Sequence, residues 1–286
     1  MSLSLRPLHP TFGVEVLGWD PREPFDEATG RELYDLLLTH RLLLFRGAPL
    51  DEAQQARLTQ VAGVLTFRGA GHYSDPDKKS SLVSNVHEDG LFGNGELSFH
   101  SDLSFTPTIL KARSLHALIL PSSPDAGGQT LFCDVQAACR ELPPSLRERA
   151  ESLRARFAAT YDYGSHQETL DFIRPLLDVH PVTAQRFIAA SRAVTKEVLG
   201  MPREEFRPLL KAIWAHMEQP RYVYRHDWRL GDTLFWDNVG TQHARTPFDP
   251  HEQRALRAVS VDEPEVAAAA AREHAMRMAR PAQPVH

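Results

Sequence analysis

His100 and Asp102, two positions apart in FHSDLSF, are the residues whose types and spacing point most directly to chemistry. The stretch reads as a strand, where side chains alternate between faces. The spacing therefore predicts that His100 and Asp102 point one way while Phe99, Ser101 and Leu103 point the other. An imidazole and a carboxylate side by side supply two adjacent corners of a coordination sphere. One more histidine completes the two-histidine, one-carboxylate set that holds non-haem iron(II) on one face and leaves positions open. Of the 14 histidines, His243 is the best candidate, because it follows the strand-like TLFWDN and a short GTQ segment that could return it to the pair. His116, His166, His180, His216, His226 and His251 lack that context. A His-x-Asp triplet also arises by chance, and a solvated pair on an edge strand is the commoner case, so its companions decide the matter.

The elements that would position these groups are mostly strands. Strand-like runs cover 97–105, 112–120, 130–134, 222–226, 233–236 and 255–261, separated by turn residues such as those of 121–128 and Gly231-Asp232. Before them, 24–40 has the leucine spacing of an amphipathic helix, RLLLF at 41–45 reads as a buried strand, and Asp51 is placed to cap a helix running to Val64. Residues 66–98 are rich in Gly, Ser, Asp and Asn around a short SSLVSN strand, the composition of a lid or binding edge. Between 143 and 219 the pattern reads as mainly helical. Many strands with one helical insertion do not give the regular alternation of a doubly wound parallel sheet. They fit a mainly β fold with helical insertions, a double-stranded β-helix of the jelly-roll, cupin-like kind. The expected organisation is one such domain over 1–263, with an insertion at about 143–219, a lid at about 66–98, and a helical or disordered tail at 264–286.

Composition narrows the partners. A chain of 286 residues buries a core without disulfides, and its two cysteines, Cys133 and Cys139, read as ordinary reduced thiols rather than a zinc knuckle. With a formal charge of −5 and no basic stripe interleaved with aromatics, nucleic acid is not the expected partner. No apolar run approaches the length of a membrane span, and the first residues lack the order of a secretory signal. The expectation is a cytoplasmic protein that binds small molecules; a homo-oligomer is compatible with the sequence.

Taken together, FHSDLSF, GGQTLF, WRLGDTLFWDN, TQHAR and QRALRAVSV resemble the taurine dioxygenase and 2,4-dichlorophenoxyacetate dioxygenase superfamily across roughly residues 40–261. Their order and spacing are more specific than any one motif. The resemblance implies that His100, Asp102 and His243 bind iron(II). It implies that Thr130, after Gly127 and Gly128, binds 2-oxoglutarate, and that Arg254, eleven positions past His243, grips the far carboxylate of that co-substrate. Physical reasoning agrees: a second carboxylate in a partly dry pocket needs a planar guanidinium, and a hydroxyl adds a hydrogen bond. Arg257 competes for the role, but if 254–261 form a strand, Arg254, Leu256, Ala258 and Ser260 share one face and Arg257 takes the other. Taurine dioxygenase resembles this chain yet carries a second inward arginine, for its sulfonate, where Ala258 stands here. Related halogenases lack the metal carboxylate; Asp102 is present, which favours hydroxylation or a related oxidation.

The reading is thus an iron(II)- and 2-oxoglutarate-dependent dioxygenase. It would oxidise a small organic molecule with dioxygen and release succinate and carbon dioxide. Asn85, Phe105 and Arg257 are candidates for the substrate pocket, with Arg245, Arg68 and His72 as further possible anion partners, and Asp237-Asn238 as a brace for the segment bearing His243. Two rivals use the same residues: a zinc hydrolase, indifferent to 2-oxoglutarate, and a non-catalytic jelly-roll binding module.

Overall fold

A computed structural model describes residues 3–68, 80–162 and 167–278. The first strands, β1 (Ser4–Pro7), β2 (Val14–Leu17) and β3 (Leu42–Phe45), are joined through helix α1 (Glu27–His40); helix α2 (Glu52–Thr59) and strand β4 (Val64–Leu65) follow. Both helices begin where the sequence offers an acceptor to a free backbone N–H. Asp26 accepts from Thr29, while Asp51 and Gln54 form a reciprocal capping pair. Next come β5 (Ser81–Ser84), β6 (Leu91–Phe92) and β7 (Leu97–His100), then β8 (Ala112–Ile119), β9 (Thr130–Asp134) and helix α3 (Val135–Arg140). After α4 (Pro144–Ala150) lie five strands, β10 (Arg154–Asp162), β11 (Gln167–Pro175), β12 (Leu177–Val179), β13 (Arg186–Ile188) and β14 (Thr195–Val198), closed by α5 (Arg203–Met217). The last strands are β15 (Val223–His226), β16 (Thr233–Asp237), β17 (Thr241–Arg245) and β18 (Ala255–Asp262), and α6 (Pro264–Met278) ends the described chain.

A large sheet, β1-β2-β3-β16-β8-β18-β5-β6 with β4 added on β18, faces a four-stranded sheet ordered β15-β9-β17-β7. The space between them is filled by Leu42, Leu44, Leu115, Ala117, Leu234, Trp236, Leu256 and Ala258 from the large sheet and Phe132 from the small one. The alternate residues Leu43, Phe45, Phe235 and Val261 point outward and pack under α1 and α2 through Leu33, Leu37 and Leu58. Covering both faces explains why LLLF and TLFWD are continuously apolar apart from their ends. This is the expected jelly roll.

The insertion differs from its expected helical character. Among the described residues helices occur only at its two ends, and β10 with β11 forms a long hairpin, paired from Arg154–Pro175 to Asp162–Gln167. In QETLDFIRP the half-buried Glu168, Leu170 and Phe172 alternate with exposed Thr169, Asp171 and Ile173, a period-two pattern that the many charges obscure. The segment expected as a lid, 66–98, falls partly at 69–79, outside the described residues. Its described part is tied into the sheet by β5, which pairs with β18 over Ser81–Ser84. No helix among the described residues is long and apolar enough to cross a membrane. The tail is helical to Met278, and Cys133 and Cys139 are free and buried.

Candidate metal centre

The small sheet brings the two histidines together. β7 and β17 run antiparallel with His100 directly opposite His243, and their ring centroids lie 4.3 Å apart. Asp102 arrives by a different route from the one its spacing suggests. The strand ends at His100, and the chain then turns, with Leu103 in the left-handed region at φ 60° and backbone bonds from Ser104 to Ser101 and from Thr106 to Leu103. The turn folds the carboxylate back beside the rings: Asp102 Oδ1 is 3.7 Å from His100 Nε2, and Oδ2 is 3.8 Å from His243 Nε2. One ligand atom from each residue falls within 4.8 Å of the other two.

Neighbouring groups hold that geometry. His100 Nδ1 lies 2.8 Å from the Ser98 carbonyl, so Nδ1–H donates and the Nε2 lone pair faces the carboxylate. Asn238 clamps the turn. Its Oδ1 accepts from the Asp102 backbone N–H, and its Nδ2 donates to the Asp102 and Leu110 carbonyls. Ser101 Oγ donates to the Thr241 carbonyl, linking the turn to β17. Asp237, paired with His180 at 3.0 Å, accepts from Val239 N–H and steadies the bend between β16 and β17. The expectation that Asp237 and Asn238 brace the His243 segment matches these contacts.

Arg113 is the residue that sequence reasoning missed. It is buried on β8 and donates from Nη1 to Asp102 Oδ2 at 3.0 Å. Burial pushes the Asp102 carboxyl up, but Arg113 and the two imidazoles more than offset this and hold it well below the usual carboxylate range. Burial, followed by the charge of His100, pushes His243 down to about 3, so its imidazole is neutral at neutral pH with a lone pair to share.

Farther along the same strands lies a second, cationic region. Thr130 opens β9 and is paired with Arg245 on β17. Trp228 Nε1 donates to Thr130 Oγ1 at 3.0 Å, which leaves the hydroxyl hydrogen free to be given elsewhere. Gly127 and Gly128 take φ 91° and 78°, and a Cβ on Gly127 would meet the Pro247 carbonyl oxygen at 2.1 Å. A Cβ on Gly128 would press on Arg254 Cδ at 3.1 Å. Arg254 is 1% exposed; its Nε donates to the Gly128 carbonyl at 3.1 Å, and its buried Nη1 meets no acceptor. Arg245 donates to the Phe92 and Gly95 carbonyls and also keeps a buried, unpaired Nη1. Both guanidinium groups lie over Phe248, at 5.4 and 5.9 Å. Among the described residues no carboxylate pairs with either. Burial, with the nearby charge of Arg245, pushes Arg254 down to about 9. Leaving buried N–H groups unpaired costs about 1–3 kcal/mol each, so this end of the site is built to receive an anion.

The donor set fits an iron(II) and a dicarboxylate. Two imidazoles and a carboxylate on one side match the facial arrangement of non-haem iron, and the unpaired guanidinium of Arg254, bonded to Gly128 two residues before Thr130, matches a carboxylate held away from that centre. Of the other sequence candidates, Asn85 adjoins the Arg254 backbone and the rest lie elsewhere. Asn85 spends both ends of its amide on the 252–254 backbone. Phe105 packs against Tyr161 in the core beneath the insertion. Arg257 points to the outer face, bonded to Gln55 and to the Leu50 carbonyl. Arg68 is paired with Asp262 and with the 106–108 loop, and His72 lies outside the described residues.

Comparison with known proteins gives the same picture. The family profile described as taurine catabolism dioxygenase TauD, TfdA family, matches residues 4–260. The chain belongs to the TauD/TfdA family. It is 32% identical over 281 residues to the alpha-ketoglutarate-dependent 2,4-dichlorophenoxyacetate dioxygenase of Cupriavidus pinatubonensis, with 90% of this chain and 96% of that one covered. It is 30% identical to pentalenolactone F synthase of Streptomyces arenae, over 86% of this chain and 91% of that one. Among solved structures, AAD-2 in complex with Mn(II) and N-oxalylglycine superposes with a TM-score of 0.76 at 27% identity, covering 91% of this chain and 97% of that one. A taurine dioxygenase from Burkholderia xenovorans gives 0.77 at 25% identity, over 93% and 94%. As a member of the TauD/TfdA family, the chain is an iron(II)- and 2-oxoglutarate-dependent dioxygenase that acts on a small molecule. The zinc hydrolase and the non-catalytic module give way to that reading.

Proposed function

We propose that His100, Asp102 and His243 are the iron ligands and that Thr130 and Arg254 receive the far carboxylate of 2-oxoglutarate. The observation that carries this reading is the convergence of three ligand atoms within 4.8 Å, with the unpaired, buried guanidinium of Arg254 beside β18 of the facing sheet. N-oxalylglycine, an analogue of 2-oxoglutarate, accompanies Mn(II) in the similar AAD-2 structure, which supports pairing a metal with this co-substrate. When bound, iron and 2-oxoglutarate supply the oxidising chemistry, in which dioxygen is consumed, succinate and carbon dioxide are released, and the substrate is hydroxylated or otherwise oxidised.

The residues of the chain prepare the site for that chemistry. The Ser98 carbonyl fixes the ring orientation of His100 through Nδ1, and burial keeps His243 neutral with a lone pair to share. Asn238 holds the Asp102 turn at its backbone, and Arg113 at its carboxylate. Arg254 is fixed by Gly128 on one side and by the Asn85 contact to its backbone on the other, so its free edge is pre-oriented. Placing the pair between two sheets limits water around an oxidising centre.

For the substrate, the inward position 258 is alanine, 2% exposed and packed with Leu115, so the region offers no cation there for a sulfonate. Arg257 does not replace it, because it faces the other way. We further read residues 1–263 as one catalytic domain. The two reduced cysteines support a cytoplasmic location, and the net charge of −5 supports small-molecule rather than nucleic-acid partners. The test is succinate release from 2-oxoglutarate across amino acids, carboxylates and sulfonates, with iron(II) supplied. Turnover dependent on both iron(II) and 2-oxoglutarate is expected. Product formation that persists without 2-oxoglutarate would contradict the proposal.

A further inference from the structure

We propose that Arg113 decides which oxygen of Asp102 the metal meets, and so keeps this carboxylate a one-atom ligand. The inference rests on the ligand reading above. Arg113 stands on the inward face of β8 with Leu115 and Ala117, opposite Trp236 on β16 and Ser260 on β18. Its guanidinium is 4% exposed. The acceptor it reaches is Asp102 Oδ2, at 3.0 Å, while its buried Nε and Nη2 meet none. A buried cation with one partner contributes little to stability, since an apolar side chain of the same size would fill the space without unpaired donors. Its placement makes sense through Asp102.

The two oxygens of that carboxylate are unlike. Oδ1 faces His100 Nε2 at 3.7 Å and, among the described residues, is met by no guanidinium or ammonium. Oδ2 is held by Arg113 and faces His243 Nε2 at 3.8 Å. An oxygen already engaged by a guanidinium is the weaker donor to a second cation, so Oδ1 is the ligand atom. The consequence lies in the count of positions. An iron held by His100, His243 and a single oxygen of Asp102 would have room both for the co-substrate and for dioxygen. A carboxylate bound through both oxygens would take up part of that room. Arg113 is therefore a positioning residue that reserves the place where dioxygen enters, acting entirely through Asp102.

The direct test needs no variant: a structure of the full chain loaded with Mn(II) and 2-oxoglutarate. Oδ1 on the metal with Oδ2 still on Arg113 is the expected result; both oxygens on the metal, or Oδ2 on it with Arg113 displaced, overturns the proposal. The second arm follows the visible band of the anaerobic iron(II)–2-oxoglutarate complex after mixing with oxygen. In Arg113→Met the band forms but decays at least tenfold more slowly than in the parent, and in Arg113→Lys it decays within threefold of the parent. Decay in Arg113→Met within twofold of the parent overturns the proposal while leaving the ligand reading intact. Should Arg113→Met not fold, the loaded structure and the lysine variant decide alone. A parent that forms no band refutes the ligand reading itself, and the inference with it.

Discussion

Two arginines three residues apart on one stretch of chain, Arg254 buried and Arg257 half-buried, have opposite surroundings. Arg257 points out of the large sheet into the layer formed by α2, where it donates to Gln55 Oε1 at 2.7 Å and to the Leu50 carbonyl at 2.6 Å. The same layer holds His116, which accepts from Leu50 N–H through Nε2 and donates to Thr233 Oγ1 through Nδ1. Arg254 points between the sheets, where one of its nitrogens bonds a carbonyl and a buried Nη1 meets nothing. The outer layer is complete as the chain folds, and its polar groups serve stability. The inner region is left electrically incomplete, as the proposed role of Arg254 in receiving a carboxylate requires.

Removing each arginine separates the two roles. Arg254→Gln should cost about 3 kcal/mol of co-substrate binding, on the order of a hundredfold rise in the KM for 2-oxoglutarate, because a buried charge pair loses one partner. Its melting temperature should hold or rise, since the unpaired buried charge goes too. A KM unchanged within threefold would dissolve the contrast. Arg257→Met should do the reverse: about 1–3 kcal/mol of stability is lost as Gln55 and the Leu50 carbonyl lose a partner, and the KM for 2-oxoglutarate stays put. Chemical denaturation and steady-state kinetics on the pair read both outcomes.

A pH titration sharpens the outer side of the contrast. Burial, followed by the nearby Arg257 charge, pushes His116 down to about 4 from its ordinary 6.5. The unfolded chain therefore takes up a proton between those values that the folded chain refuses. His116 contributes nothing to this loss above pH 6.5, and stability falls as pH drops from there towards 4, by about 2 kcal/mol after allowance for partial burial. The effect is smaller than that of Arg254→Gln and comparable with that of Arg257→Met, and it should flatten in His116→Gln. An equal slope in parent and variant would remove His116 from the account.

How much of this was readable in advance depended on whether local pattern or long-range pairing decided the outcome. Period-two alternation placed Arg254 inside and Arg257 outside, the continuous apolar run of LLLF marked a buried strand, and 233–236 read as strand. The pairing of His100 with Asp102 was predicted for the wrong reason: the strand stops at His100, and a turn with Leu103 at positive φ, rather than alternation, sets the carboxylate. Nothing short of tertiary contact marks Arg113, because the arginine of ARSLHAL looks like any strand residue until β8 is known to lie behind Asp102. The hairpin of β10 and β11 was hidden for a related reason. Its alternation is carried by Glu168, Leu170 and Phe172, where charge weakens the apolar signal.

The central claim is that two imidazoles and one carboxylate, remote in sequence, share one iron that also chelates the co-substrate. Anaerobic titration of iron(II) and 2-oxoglutarate into the parent, Asp102→Ala and His243→Ala tests it most directly. A weak visible charge-transfer band is expected in the parent and absent from both variants, each still folded by circular dichroism. A band of parental intensity in both variants would contradict the account.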